Sequence, residues 1–158
     1  MEVAADSLNK TAPPLTALKH KHLLGIADLS AEELAEQLRE DIRRFKAEHQ
    51  LERLVLIWCG STEVYLTESE AHATIGAFER ALEANDPAIP SSMVYAYAAI
   101  KEGIPYANAA PNLSADIPAL LELAQQNAAP VAGKDLKTGQ TYMKTLIAPG
   151  IKARLLGV

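Results

Sequence analysis

A segment that begins near residue 30 has apolar residues at helical spacing. Ser30 and Glu33 form a capping-box pattern, which marks the start of a helix. The apolar positions that follow share one helical face and are Leu34, Leu38, Ile42 and Phe45. The opposite face is charged and is therefore predicted to be solvated. It carries Glu36, Arg39, Glu40, Arg43 and Arg44. Residues 1–28 lack clear periodicity and contain two adjacent prolines, so we expect an extended arm there.

A continuous apolar run at residues 54–58 predicts the first strand. A strand that is apolar on both faces is typical of the middle of a parallel sheet. The next pattern, residues 69–84, predicts a helix that buries Ile75, Phe78 and Leu82.

Helices and short strands alternate along the rest of the chain. A helix is predicted from Pro90 to Gly103 and another over residues 117–126. The predicted strands are residues 104–107, 130–132 and 153–158. Alternation of this kind predicts an α/β fold with a parallel sheet built of crossover units.

Polar loops with small residues follow the first three predicted strands, at residues 59–63, 108–114 and 133–139. Ligands of open parallel sheets bind beyond the carboxyl ends of the strands. We therefore expect these loops to meet at one edge and to suit a nucleotide or a sugar phosphate. The alternative for each loop is ordinary turn chemistry, since Gly, Asn, Ser and Pro are common turn residues.

Composition narrows the class of protein. A chain of 158 residues with 49% hydrophobic content can bury one core, and its length favours a single domain. No apolar run is long enough for a membrane span, and the acidic N-terminus is unlike a signal peptide. The single cysteine, Cys59, is predicted to be a buried strand thiol, and a cytoplasmic location is favoured. A pI near 5.4 and 5% aromatic residues argue against nucleic acid as a partner.

A cationic segment lies near the C-terminus of this acidic chain. Residues 131–158 contain five basic residues and one acid, whereas the whole chain carries a net charge of −5. Such a segment favours an anionic small molecule. If Gly139 opens a helix, Lys137, Thr141 and Lys144 share one face of it. The alternative is an ordinary helix with a solvated lysine face. No metal site is predicted, because the histidines at 20 and 22 have no further ligand at suitable spacing.

Ordered motifs over residues 29–158 resemble those of the myo-inositol-phosphate synthase family. Trp58-Cys-Gly-Ser-Thr-Glu63 is similar to the family's Trp-Thr-x-x-Thr-Glu. Glu102-Gly-Ile-Pro-Tyr-Ala-Asn108 is similar to its Glu-Gly-x-Pro-Tyr-x-Asn. Asn112-Leu-Ser-x-Asp-Ile-Pro118 and Gly133-Lys-Asp-x-Lys-Thr-Gly-Gln-Thr-x-x-Lys144 resemble its bacterial and archaeal branch.

The resemblance implies an NAD-dependent isomerase that converts glucose 6-phosphate to 1D-myo-inositol 3-phosphate. In that family NAD oxidises the sugar at C5, an intramolecular aldol joins C1 to C6, and NADH returns its hydride. The resemblance also implies a homo-oligomer, a tetramer for full-length members, with neither a membrane nor nucleic acid as partner.

The same resemblance implies roles for particular residues. Lys137 and Lys144 are expected at the phosphate and the oxyanions, as catalytic residues. Asp135 is expected near the nicotinamide or ribose, where it would also hold Lys137. The remaining residues expected to line the cofactor cleft are Gly60, Ser61, Thr62, Glu63 and Asn108.

Departures from the family pattern make the chain resemble the middle of a synthase. The sequence has no G-x-G pair, so the glycine turn that cradles a pyrophosphate is missing. Cys59 replaces a threonine, and Ala109 and Ala110 stand where polar residues or glycine are expected. The implied organisation is an arm at 1–28, the C-terminal part of a Rossmann-like NAD-binding domain at 29–132, and the start of the catalytic region at 133–158.

Two hypotheses of different class remain open. The chain is an inactive fragment of an inositol-phosphate synthase, or it is a non-catalytic interaction subunit derived from one. A strand at residues 153–158 would favour the fragment, because it would expose an unpaired edge.

Overall fold

The computed structural model describes residues 29–135 and 140–154, and in the second range it describes the side chains of residues 144–153. The extended arm predicted at 1–28 lies outside the described residues. The helices and strands are α1 (Ala31–Glu48), β1 (Leu56–Trp58), a 3-10 helix (Glu70–His72), α2 (Ile75–Glu83), α3 (Ser91–Lys101), β2 (Tyr106–Asn108), α4 (Pro118–Gln126), β3 (Val131–Gly133) and α5 (Gln140–Arg154).

The described strands form a parallel sheet in the order β1-β2-β3. Leu56, Tyr106 and Val131 share one row of the register. Each connection between strands crosses over through helices, as parallel pairing requires. The predicted α/β class, a partial Rossmann-like parallel sheet with flanking helices, is confirmed.

The core lies between the helices and one face of the sheet. Tyr106 of β2 is buried there with Phe78 of α2, Met93 and Ile100 of α3, and Leu120 of α4. Leu56 and Trp58 pack against the same cluster. The core therefore covers the face of the sheet that carries alternate residues of each strand.

The predicted position of the first strand is wrong for the described sheet. β1 lies at the edge rather than in the middle. Val55 and Ile57 are 61% and 53% exposed. Ile57 shares its register row with Ala107 and Ala132, on the face away from the core. The run is continuously apolar because it places apolar side chains on both faces of the sheet. The described helices cover only one of those faces.

The charged face of α1 is not simply solvated, in contrast to the prediction. Arg39 Nε lies 2.7 Å from Glu102 Oε1, and Arg43 Nη2 lies 2.6 Å from the same oxygen. The Glu102 side chain is only 15% exposed. Hydrogen bonds from Arg43 and Arg39 hold the pKa of Glu102 below its usual range. The ion pairs join α1 to the end of α3.

Most helix boundaries follow their capping residues. The capping box of Ser30 and Glu33 is present at α1, and α3 begins after Pro90 and ends before Gly103, which has φ +67°. The single helix predicted at 69–84 is wrong. The segment instead contains a 3-10 turn followed by α2. α2 begins only at Ile75, because the Thr74 hydroxyl caps it by accepting from Ala77 N. Ile75 is half-buried rather than buried.

The strand predicted at 153–158 is wrong for its described part. Ala153 and Arg154 are the last residues of α5, and residues 155–158 lie outside the described range. A short apolar run cannot be assigned to helix or strand by periodicity alone. Within the described residues, no helix combines the length and apolar character needed to cross a membrane.

Candidate functional site

The carboxyl ends of the three strands meet at one edge of the sheet. Trp58, Asn108 and Gly133 share the last row of the register. Beyond it, Ala109 N donates to Trp58 O at 2.9 Å, and Asp135 N donates to Ala110 O at 3.2 Å. The loop after β2 thus contacts the loop after β3, and its Asn112 Oδ1 accepts from Glu63 N in the loop after β1. The predicted convergence of the loops is confirmed for their described residues, and residues 136–139 lie outside them.

Glu63 joins the loop after β1 to the helix behind it. Its Oε1 accepts from Ser92 N at 2.9 Å, and its Oε2 accepts from Ser92 Oγ at 2.5 Å. Ser92 lies in the first turn of α3, whose N-cap, Pro90, has no side chain that can cap the helix. A carboxylate at this end is stabilised by the free backbone N–H groups and the helix dipole. Glu63 therefore caps α3 from another part of the chain.

Asn112 connects the loops after β1 and β2. Its Oδ1 accepts from Glu63 N at 2.9 Å, and its Nδ2 donates to Glu63 Oε2 at 3.0 Å. Its carbonyl oxygen accepts from Asn108 Nδ2 at 2.8 Å. Asn108 is buried, and its Oδ1 accepts from Ala110 N at 2.9 Å. Glu63 and Asn108, both predicted to line the cofactor cleft, are thus bonded to their neighbours through Asn112.

A buried tyrosine supports these loops from below. Tyr106 Oη donates to Ser92 O at 3.1 Å and lies 3.0 Å from Ser114 Oγ. Burial raises the pKa of Tyr106 to about 12. Its hydroxyl therefore stays protonated near neutral pH and fixes Ser92 and Ser114 beneath the edge of the sheet.

The residues between β1 and Glu63 differ in exposure. A Cβ on Gly60 would lie 2.5 Å from Cζ2 of Trp58, so only glycine fits beside that ring. Ser61 and Thr62 are exposed. Cys59 is exposed as well, so its predicted burial is wrong. It follows the last residue of β1 and lies at the open edge of the sheet rather than within the strand.

A cleft of about 420 Å³ lies beside the converging loops. We call it the edge cleft. It is lined by residues 62–68, residues 111–113 and Lys134. Two apolar side chains in its wall are largely exposed, Val64 at 81% and Tyr65 at 88%. An open cleft with an aromatic ring, hydroxyl groups and a cation can hold part of a polar ligand that carries a ring.

Lys134 is joined to Asp116 across the loops after β2 and β3. Its Nζ lies 2.8 Å from Asp116 Oδ2. Asp116 Oδ1 accepts from Ser114 N at 2.9 Å. Burial favours a higher pKa for Asp116, but the hydrogen bonds from Lys134 and Ser114 outweigh it, and the pKa of Asp116 lies below its usual value. The aspartate is therefore a fixed anion beside the edge cleft.

The predicted catalytic residues are less completely described. Lys137 lies outside the described residues. Lys144 is exposed on α5 and is not among the described residues that line the edge cleft. Asp135 is half-buried at the strand ends, where its backbone bonds to Ala110. A helix does follow Gly139, since α5 begins at Gln140.

The family model for myo-inositol-1-phosphate synthase matches residues 14–156. That match spans most of the chain. The chain belongs to the myo-inositol-1-phosphate synthase family.

Individual synthases show the same relationship. The chain is 50% identical over 127 residues to inositol-3-phosphate synthase 1 of Bacteroides thetaiotaomicron, covering 80% of this chain and 30% of that protein. It is 33% identical over 114 residues to the inositol-3-phosphate synthase of Saccharomyces cerevisiae, covering 72% of this chain and 21% of that protein. The crystal structure of the Caenorhabditis elegans enzyme superimposes with a TM-score of 0.67 at 33% identity, over 77% of this chain and 25% of that one.

The chain therefore spans less than a third of the length of the synthases it matches. Its parallel sheet and flanking helices match the Rossmann-like NAD-binding domain of the family. NAD is the cofactor of this domain type.

The edge cleft fits part of a dinucleotide. The described wall offers the Thr62 hydroxyl, the Tyr65 ring and the Lys134 ammonium, which suit ribose, a ring and a phosphate respectively. The chain has no G-x-G pair, and such a pair lets the backbone approach a pyrophosphate. The described wall therefore offers groups that fit one side of such a ligand.

Sequence reasoning did not single out Ser92, Asn112, Asp116 or Lys134 as site residues. Asn112 and Asp116 belong to a motif that resembles the family, which was the available signal. Ser92 carries no such sequence signal, because it lies in the first turn of an ordinary helix and contacts Glu63 only in the folded chain. Lys134 lies in another such motif, but it was one of several lysines there, and its pairing with Asp116 depends on the fold.

Proposed function

We propose that this chain is a segment of an inositol-3-phosphate synthase, which converts glucose 6-phosphate to 1D-myo-inositol 3-phosphate, and that the segment is inactive alone. Family membership supports the activity, and the short coverage of the relatives supports the segment. The structural observation that carries the proposal is the meeting of three polar loops at the carboxyl edge of a parallel sheet.

In this proposal the chain's residues divide into two groups. Gly60, Ser61 and Thr62 form the wall toward the cofactor, and Glu63 and Asn108 hold that wall in place. Lys137 and Lys144 belong to the phosphate and oxyanion side, with Asp135 between the two groups. NAD, when bound, would supply reversible hydride transfer.

The same proposal assigns each part of the chain to a region of the synthase. Residues 29–132 complete the nucleotide domain, and residues 133–158 begin the catalytic region. Residues 1–28 would precede the nucleotide domain as an arm. A homo-oligomer and a cytoplasmic location stay predictions.

A chimera tests the proposed activity. Residues 29–154 of this chain would replace the matching segment of the Bacteroides thetaiotaomicron enzyme, to which the chain is 50% identical. We expect formation of inositol phosphate within about tenfold of the parent's kcat/KM, because loops with the same motifs should rebuild the site. A chimera that folds and assembles like the parent but makes no product would contradict the proposal.

Lysine variants of that chimera test the catalytic residues. Lys137→Ala or Lys144→Ala should each lower kcat by about 100-fold or more, the scale for losing one preorganised charge that stabilises a developing oxyanion. Lys46→Gln is the matched control, because Lys46 lies on α1 beside a separate cleft. Turnover close to that of the control in both alanine variants would contradict the catalytic assignment of these lysines.

A second candidate function is a non-catalytic subunit that binds another polypeptide. It is favoured by the exposed apolar residues Val55 and Ile57 on the face of the sheet away from the core. Co-purification of the chain with a full-length synthase, together with a change in that synthase's turnover, would support it. Absence of a complex at micromolar concentration would count against it.

A further inference from the structure

Lys134 differs from the other described lysines in its position. It follows the last residue of β3 and lines the edge cleft together with Thr62 and Tyr65. The edge beyond parallel strands is where ligands of such sheets bind. Lys134 is therefore the described cation that stands at the expected ligand position.

The side chain of Lys134 is held from one side. Asp116 Oδ2 accepts one of its hydrogen bonds at 2.8 Å. Asp116 is itself fixed, since its Oδ1 accepts from the backbone of Ser114, whose hydroxyl lies 3.0 Å from Tyr106 Oη in the buried core. A lysine ammonium has three donors. With 45% of its side chain exposed, Lys134 retains donors for a ligand.

Two acidic residues also line the edge cleft, Glu63 and Glu68. Glu63 is already bonded to Ser92 and Asn112. Glu68 is exposed to solvent. Among the described residues that line the edge cleft, Lys134 carries the positive charge. An anion in this cleft would thus meet an ammonium whose position is set before the ligand arrives.

We propose that Lys134 binds a phosphate group in the edge cleft and that Asp116 is its positioning residue. The inference rests on the proposed function, since it takes the cleft to be part of the synthase site. Two ligands carry this chemistry, the diphosphate of a dinucleotide and the phosphate monoester of a sugar phosphate.

Ligand-observed saturation-transfer NMR on the 158-residue chain tests the inference, because it measures the millimolar dissociation constants expected of a partial site. The ligands are NAD and glucose 6-phosphate, with glucose as the uncharged control. We expect K134Q to weaken binding by about tenfold or more, K134R to stay within about threefold, and K46Q to match wild type. If K134Q weakens the binding of NAD alone, Lys134 binds the diphosphate. If it weakens the binding of glucose 6-phosphate alone, Lys134 binds the phosphate monoester.

Two results would overturn the inference. One is equal binding of both phosphorylated ligands by K134Q and wild type. The other is wild-type binding of both no stronger than that of glucose. Neither result bears on turnover of the chimera, so failure here is distinguishable from failure of the proposed function.

The positioning role of Asp116 needs a double-mutant cycle. D116N should change the dissociation constant at least about threefold when Lys134 is present and leave it unchanged in the K134Q background. A merely structural aspartate would have the same effect in both backgrounds, and that outcome would overturn its assignment.

Discussion

Polar side chains at the edge of the sheet have two distinct duties. The side-chain oxygens of Glu63 and Asn108 accept hydrogen bonds from within the protein, whereas Thr62 and Lys134 are exposed at the open cleft. All four residues lie in motifs that resemble one family. A motif gives the identity and spacing of residues, but the direction of each side chain depends on neighbours such as Ser92 and Asn112, which the fold brings together.

The bonds of Glu63 predict a loss of stability on Glu63→Gln. The glutamine keeps the shape of the side chain, but its NH2 group replaces an oxygen that accepts from Ser92 or Asn112. Two donors then face each other in a half-buried site. We expect the free energy of unfolding to fall by about 1–3 kcal/mol, measured by urea denaturation.

Glu68→Gln is the matched control for this measurement. Glu68 lines the same cleft and is exposed. Its substitution should change the free energy of unfolding by less than about 0.5 kcal/mol. Equal unfolding midpoints for the two variants would show that the contacts of Glu63 contribute nothing to stability.

At the scale of elements, β3 approaches β2 closely at its last residue. Gly133 has φ +136°, and a Cβ there would lie 2.7 Å from Asn108 O. Gly133→Ala would therefore combine a strained backbone with a clash against a neighbouring strand. We expect a loss of about 2 kcal/mol or more in the free energy of unfolding.

Gly76→Ala is the matched control for the Gly133 variant. Gly76 lies in α2, where the nearest heavy atom to an added Cβ is Arg80 Nη1 at 3.7 Å. Alanine favours a helix over glycine, so this variant should gain up to about 1 kcal/mol. A Gly133 variant as stable as wild type would contradict the close approach of the strands.

Sequence patterns predicted the elements whose signals are local. Ser30 and Glu33 marked the start of α1, and Gly103 marked the end of α3. Two of the errors concern features that depend on distant parts of the chain. The exposure of Ile57 depends on which face the helices cover, and the pairing of Arg39 with Glu102 joins residues 63 positions apart. Neither can be deduced from periodicity.

The ion pairs between α1 and α3 predict an acid-dependent loss of stability. The pKa of Glu102 is lowered in the folded state by hydrogen bonds from Arg43 and Arg39. A carboxylate with a lowered pKa stabilises the fold above its unfolded pKa of about 4.3, and that contribution is lost as the pH falls through its folded pKa. Glu102→Gln should therefore be less stable than wild type at pH 7, with the difference shrinking below about pH 4.

Urea denaturation across pH 2–7 measures this difference, with Glu40→Gln as the control. Glu40 is an exposed acid on α1. We expect Glu102→Gln to cost about 1–2 kcal/mol at neutral pH, since the partners are partly exposed to solvent. A difference from wild type that does not vary with pH would contradict the role of the carboxylate charge.

At the scale of the whole molecule, the described helices cover only one face of the sheet. Helices α2, α3 and α4 bury the face of the sheet that carries Leu56 and Tyr106. The opposite face carries Val55, Ile57, Ala107 and Ala132, of which all but the half-buried Ala107 are exposed. Parallel sheets are usually covered on both faces. An apolar face of this kind is typical of a surface that binds other protein.

The open face predicts that the isolated chain self-associates. Burial of one isoleucine side chain contributes about 1.5–3 kcal/mol, so Ile57→Lys should weaken association by about tenfold to 100-fold. The edge strand should tolerate lysine, because Ile57 is 53% exposed and charged residues are common on edge strands. Sedimentation velocity over a range of concentrations measures the association. Val64→Lys controls for added charge, since Val64 is exposed in the loop after β1 and lines the edge cleft. A wild-type chain that stays monomeric and melts cooperatively would show that the face is stable in water and that its apolar residues need no partner.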